Sequence, residues 1–310
     1  MIYWIASYPK SGNTWMRLFL SAYRHGAIDI NNPITFAHDD LAPGNHQPLL
    51  RKPVSELTNT EYLFVRPAMI LQMMHAAGNG RVFLKTHHAV CSIDEFPLIP
   101  HVVTEGAIYM VRDPREVAIS YAKHCDATID ETIDVMENPQ AIATTGNGLY
   151  HMLATWSNHV DSWADAENGI KCHVVRYEDL HRAPHKAFKS VIEALGWEYS
   201  EDRLHATIHA TGFDKLQAQE QENGFRERSK RAKEQFFRAG NVDSWRHILT
   251  KEQVQRIEQA HGEAMTRMGY QLEETQDHGS NSDRQRVARH HGNADADRQD
   301  ERNGPVQECG

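Results

Sequence analysis

The sequence predicts an α/β fold in which a mostly parallel central sheet is flanked by helices. Three observations carry this. Short β-rich runs beginning at Ile2, Arg81, Ala107 and Cys172 alternate with helical stretches, the pattern of a parallel sheet with crossover helices. The first run passes through a tight polar turn, Tyr8-Pro9-Lys10-Ser11-Gly12-Asn13-Thr14, directly into a helical segment at Trp15–Tyr23. Strand, small-residue loop and helix N-terminus together converge backbone N–H groups on an anion. A second strand, Ala107–Val111, runs into Arg112-Asp113-Pro114-Arg115-Glu116. There Asp113 suits the N-cap, Pro114 the first helical position, and Glu116 is placed to complete a capping box.

Taken in order, the opening loop offers a point charge from Lys10 and hydroxyls from Ser11 and Thr14. It is not a Walker A loop, because its lysine precedes the glycine. An ordinary strand–turn–helix corner is the alternative. Residues 26–67 are broken by Asn31-Asn32-Pro33, Ala42-Pro43-Gly44-Asn45 and Lys52-Pro53, so loops and short helices are expected there. A Met-rich helix around Ala68–Ala77 precedes Arg81–His88, a strand ending in Lys85-Thr86-His87-His88. Neighbours on an extended chain point to opposite faces, so Lys85 and His87 share a face that His88 does not. Arg112 and Ser120 lie about two helical turns apart and face one side, at the strand edge where parallel sheets bind ligands. For Arg112 the alternatives are a phosphate, which takes two hydrogen bonds from a guanidinium, and a surface ion pair with Asp113 or Glu116. A long helix is predicted over Gly148–Ala166, then a strand at Cys172–Tyr177, a helix at His185–Leu195 and a last helix at about Lys251–Met268.

The 310 residues carry a formal charge of -9, with a pI near 6.1 and a mean hydropathy of -0.62. That balance argues against a nucleic-acid partner held by a general basic field. No apolar run approaches a membrane span, and no signal-peptide pattern is present. The four cysteines show no C-x-x-C spacing, which predicts free thiols in a reducing, cytoplasmic setting. Of the twenty histidines most are expected at the surface, and no ligand spacing points to a metal. Residues 271–310 hold almost no large apolar side chains and are read as a disordered polar tail after a single domain at 1–270.

These signals form one set. Tyr8–Trp15 resembles the 5′-phosphosulfate loop of the cytosolic-type sulfotransferases, Y-P-K-S-G-T-T-W, and Lys85-Thr86-His87 resembles their K-T-H segment. Arg112 and Ser120 match their 3′-phosphate pair, and Arg176-Tyr177-Glu178-Asp179-Leu180 is similar to their Y-E-D strand end. Thr211-Gly212-Phe213 looks like T-S-F, and Phe236–Arg246 looks like F-x-R-K-G-x-x-G-D-W-K. The resemblance covers roughly residues 2–270. It implies a P-loop-containing nucleotide hydrolase-like fold and transfer of a sulfuryl group from 3′-phosphoadenosine 5′-phosphosulfate to a small-molecule hydroxyl or amine, with no metal.

Carried over position by position, it implies donor contacts from Lys10, Ser11, Gly12, Asn13, Thr14, Trp15, Arg112, Ser120, Tyr177, Thr211, Phe213, Phe237, Arg238, Ala239 and Gly240. His87 would be the base, with Lys10, Lys85 and Ser120 also at the reacting group and His88 a rival for the base. Departures are Asn13 for threonine or serine, Ala239 for lysine, Asp243-Ser244 for Gly-Asp, and Arg246 for lysine. Thr250-Lys251 replaces the T-V step of vertebrate-type dimers, so a homodimer is expected without that mode. The other readings of the same features are a catalytically silent nucleotide-binding protein and a P-loop nucleotide kinase.

Overall fold

In the computed structural model the described residues are 1–26, 29–31, 37–78, 80–144, 149–228, 235–237, 242–273 and 306–308. Strand β1 (Ile2–Ser7) is buried at every residue. Ile2, Trp4 and Ala6 enter one core layer, and Tyr3 and Ile5 enter the other. A strand apolar on both faces belongs at the centre of a parallel sheet. Helix α1 (Asn13–His25) follows, then β2 (His38–Asp39), α2 (Pro43–His46) and α3 (Asn59–Ala76). Helix α3 starts well before the Met-rich face that announced it, because Thr58 and Glu61 form a full capping box. Pro67 sits inside it.

Strand β3 (Val82–Thr86) precedes a small hairpin, β4 (Ser92–Ile93) with β5 (Phe96–Pro97). Next come β6 (Thr104–Val111), α4 (Pro114–Cys125) and α5 (Ile129–Glu137). The main sheet is completed by β9 (Cys172–Arg176), and its order is β2-β3-β1-β6-β9 with every pairing parallel. Between α5 and β9 lie β7 (Ile142–Thr144), β8 (Tyr150–Met152) and α6 (Trp156–Ala164). Helices α7 (Tyr177–Arg182), α8 (Pro184–Ala194), α9 (Glu201–Ala210) and α10 (Phe213–Asn223) follow. Helices α11 (Trp245–Ile248) and α12 (Lys251–Arg267) end the folded body. Strand β10 (Val306–Glu308) pairs with β7 and lies inside the segment read as a disordered tail, the rest of which beyond Glu273 falls outside the described residues.

Two readings are corrected. The helix expected over Gly148–Ala166 is shorter: Tyr150–Met152 is a strand antiparallel to β7. Ala154 then adopts φ 56, and α6 begins only after Thr155, whose hydroxyl accepts from Asn158 N–H. A left-handed residue cannot continue a helix, so the apolar periodicity of Leu149–Trp163 spans two elements. Five of the twenty histidines, His46, His88, His151, His159 and His261, lie in the interior, a minority that leaves the surface expectation for most of them standing. Each trades its charge for hydrogen-bond partners. The second correction concerns the cysteines: Cys91 and Cys172 are free thiols, whereas Cys125 is disulfide-bonded.

Candidate functional site

The loop after β1 and the N-terminus of α1 open into a cleft of about 730 Å³. Lys10 takes a left-handed backbone, φ 66, and its ammonium lies 3.8 Å from the Phe236 ring centre. Its carbonyl accepts from Arg112 Nη1 at 3.1 Å, so the two strand edges are joined here. Gly12 has φ 96, and a Cβ placed on it would stand 2.6 Å from Tyr177 Cδ2. Both constraints demand glycine.

Asn13, the departure in the loop, points inward. Its amide donates to the Ile5 carbonyl at 2.9 Å and its oxygen accepts from Arg17 Nε at 3.0 Å. It therefore fastens the loop to the strand and leaves only backbone for a ligand. Ser11 is fully buried, and its Oγ meets no hydrogen-bond partner among the described residues. Thr14 Oγ1 donates to Glu227 Oε2 at 3.0 Å, and Arg17 donates to the same oxygen at 2.6 Å. Burial alone would raise the Glu227 carboxyl, but the Arg17 guanidinium outweighs it and holds the group below the usual carboxylate range.

Arg112 stands at the end of β6 with its plane 4.3 Å from the Tyr177 ring centre and Nη2 3.3 Å from Glu116 Oε2. Ser120 shares the cleft, as the spacing predicts. The capping box does not form: Asp113 caps α4 through Arg115 N–H, while Glu116 turns away to accept from Ser244 Oγ and Trp245 N–H, each at 2.9 Å. Glu116 thereby fixes α11, a role sequence spacing gave no sign of, and also pairs with Arg112, the ion pair the sequence offered as the alternative for that arginine. Trp15 and Tyr177 meet edge to face at 5.9 Å, and Phe213 and Phe237 continue the aromatic wall. Thr211 stands behind that wall: its carbonyl accepts from Trp15 Nε1 at 2.8 Å and its own hydroxyl donates into α9. Arg238, Ala239 and Gly240 lie outside the described residues.

At the end of β3, Lys85 and His87 border the cleft and His88 turns into the core, the alternation expected of an extended segment. Lys85 Nζ donates to Asp39 Oδ2 at 3.0 Å. His87 Nδ1 lies 2.7 Å from the Ser7 carbonyl, an acceptor only, so Nδ1 carries the proton and Nε2 a lone pair. The His87 carbonyl is in turn gripped by His159 Nε2 at 3.1 Å. Burial, reinforced by the nearby Lys85 charge, holds the His87 imidazole well below its ordinary range.

His88 has no such freedom. Its Nδ1 accepts from Met152 N–H at 3.0 Å and its Nε2 meets the Tyr62 hydroxyl at 3.1 Å. Beside it, Asp40 accepts from Arg66 Nη2 at 2.8 Å and from His151 Nε2 at 2.9 Å. Asp40, His88 and His151 bring ligand-type atoms within 4.8 Å of one another, but protein hydrogen bonds already engage both nitrogens of His88 and both oxygens of Asp40.

Residues 3–269 match the family model described as sulfotransferase domain. The chain is 23% identical over 84% of its length to sulfotransferase 1B1 of Mus musculus, covering 82% of that protein. It is 23% identical to flavonol 3-sulfotransferase of Flaveria bidentis, over 86% of this chain and 83% of that one. A crystal structure of mouse sulfotransferase SULT7A1 complexed with PAP superposes with a TM-score of 0.57 at 17% identity, covering 86% of this chain and 84% of that one. A central parallel sheet, a left-handed lysine loop facing a capped arginine helix, and a family match over the whole folded body agree: the chain belongs to the sulfotransferase domain family.

Proposed function

We propose that the protein transfers the sulfuryl group of 3′-phosphoadenosine 5′-phosphosulfate to a hydroxyl of a small-molecule acceptor, with His87 as the base. The observation that carries this is the pinned tautomer of His87, a residue that borders the cleft with Lys10 and Arg112: the Ser7 carbonyl holds the Nδ1 proton and leaves Nε2 as the proton acceptor. Mouse SULT7A1 was crystallised with PAP, which supports the same nucleotide here. The 5′ end of the donor would lie at the Lys10–Thr14 loop and the N-terminus of α1, where backbone N–H groups meet anions. Arg112 and Ser120 would hold the 3′-phosphate, and Trp15, Tyr177, Phe213 and Phe237 would enclose the adenine.

In the transfer, the acceptor oxygen forms the new O–S bond as the bond from sulfur to the bridging oxygen breaks, and that electron pair leaves on the bisphosphate. The hydroxyl proton passes to His87 Nε2. Lys10 balances the charge arriving on the bridging oxygen, the electrostatic support that in-line transfers of this kind depend on. Lys85, tied to Asp39, would stand beside the attacking oxygen. The reading invokes no metal. A cytoplasmic location and a homodimer that lacks the T-V step belong to the same proposal, to be tested by fractionation and sedimentation.

Turnover with labelled donor and a panel of hydroxyl acceptors tests the base. His87→Ala should abolish transfer while binding adenosine 3′,5′-bisphosphate as before, and His88→Ala should act through stability. Near-native turnover by His87→Ala, with activity lost in a folded His88→Ala protein, would overturn the assignment.

A further inference from the structure

Beside His87 stands a second imidazole that the transfer described above does not use. His151 borders the same cleft, and its ring centre lies 5.3 Å from that of His87. Its orientation is set from behind. Asp40 is wholly buried, and although burial opposes its charge, the Arg66 guanidinium holds the carboxyl well below the usual range. Arg66 is locked in turn, donating to the Leu98 carbonyl and the Tyr62 hydroxyl.

A charged carboxylate only accepts, so the proton of neutral His151 sits on Nε2, facing Asp40. Nδ1 is left as an acceptor, and among the described residues it meets no hydrogen-bond donor. Two neighbouring imidazoles therefore border one cavity, each with one nitrogen held by a partner and the other left as an acceptor. The cleft is also bordered by Asp39, Lys85, Thr144, Arg226 and Glu227, polar groups that can meet the hydroxyls of an acceptor.

We propose that His151, oriented by Asp40, is a positioning residue for a vicinal-diol acceptor: one hydroxyl gives its proton to His87 Nε2 while its neighbour donates a hydrogen bond to His151 Nδ1. The inference rests on the sulfotransfer reading and adds the acceptor class. Sugar rings and catechols share this chemistry, and the test separates them.

The full chain with labelled donor is assayed on methyl glucoside against cyclohexanol, and on catechol against phenol. The wild-type protein is expected to favour the diol in one of the two pairs, and that pair names the source. His151→Ala should lower kcat/KM for that diol about threefold to tenfold, the worth of one hydrogen bond, mainly through KM, and bring the diol-to-single-hydroxyl ratio toward one. His151→Asn, which keeps an acceptor near the Nδ1 position, should recover part of the loss. Affinity for adenosine 3′,5′-bisphosphate should be unchanged in both variants, which checks folding.

Equal losses on diol and single-hydroxyl substrates, no loss at all, or a wild type indifferent to the second hydroxyl would overturn the proposal while leaving sulfotransfer intact. A wild type that binds the bisphosphate but sulfates nothing in the panel would overturn the underlying reading instead.

Discussion

Gly12→Ala isolates the constraint that shapes the anion loop. Two costs are expected. A side chain in the left-handed region at φ 96 is strained by roughly 1–2 kcal/mol. The new Cβ also falls 2.6 Å from Tyr177 Cδ2, so the ring must retreat by about 1 Å to regain ordinary contact. It is hemmed in by Trp15 and by the Arg112 plane, and overpacking of this kind costs about 1–3 kcal/mol. The total is about 2–5 kcal/mol, a large share of a typical native stability of about 5–15 kcal/mol.

Urea denaturation of the ligand-free protein measures it, and a double-mutant cycle divides it. In a Tyr177→Ala background the ring is gone and only the backbone part, roughly 1–2 kcal/mol, should remain. An unchanged cost in that background would refute the contact argument, and a Gly12→Ala protein as stable as the wild type would refute both.

Other consequences are open to measurement. Arg112→Ala should weaken binding of adenosine 3′,5′-bisphosphate roughly tenfold to a hundredfold, from the loss of charge-assisted hydrogen bonds. Adenosine 5′-phosphate should lose little, and equal losses in titration calorimetry would remove Arg112 from the 3′-phosphate. Glu227→Gln takes a carboxylate away from Thr14 and Arg17 at the start of α1, where the donor's anion is proposed to sit. Bisphosphate affinity should rise about twofold to fivefold, the value of one charge at a helix N-terminus.

The same carboxyl is held low in the folded state, so its stabilisation is complete above the unfolded value near ~4.3 and fades as pH falls through the lower folded one. The acid limb of unfolding should therefore flatten in Glu227→Gln. His87 is also held low, and the base works only when neutral. The turnover profile should stay level on the acid side to well below the ordinary imidazole value of about 6.5, and an inflection at or above that value would contradict the burial described here.

The sheet and its two ligand-facing corners were legible because strand periodicity and cap residues are local signals. So was the split between Lys85 and His87 on one side and His88 on the other. What escaped the sequence depends on partners far apart in the chain. Glu116 looked like a capping-box residue until Ser244 and Trp245 claimed it across 128 residues. Asp40, Arg66 and His151 sit in stretches that read as loop or helix face, and only the closed fold brings them together. Tyr150–Met152 misled for a related reason: an apolar pattern cannot show that Ala154 will turn left-handed.

The hydrogen bond from Arg112 to the Lys10 carbonyl also bears on how this scaffold can be altered. If Arg112 holds the 3′-phosphate as proposed, a designer who wished the cleft to accept a donor without one would begin by deleting the arginine. That deletion would also remove a hydrogen bond to the carbonyl of a lysine held in a left-handed bend, loosening the loop proposed to hold the other end of the nucleotide. On that reading donor preference and loop shape are coupled, and a change of donor calls for a second substitution, such as Lys10→Gly with a cation supplied from elsewhere, to let the bend relax.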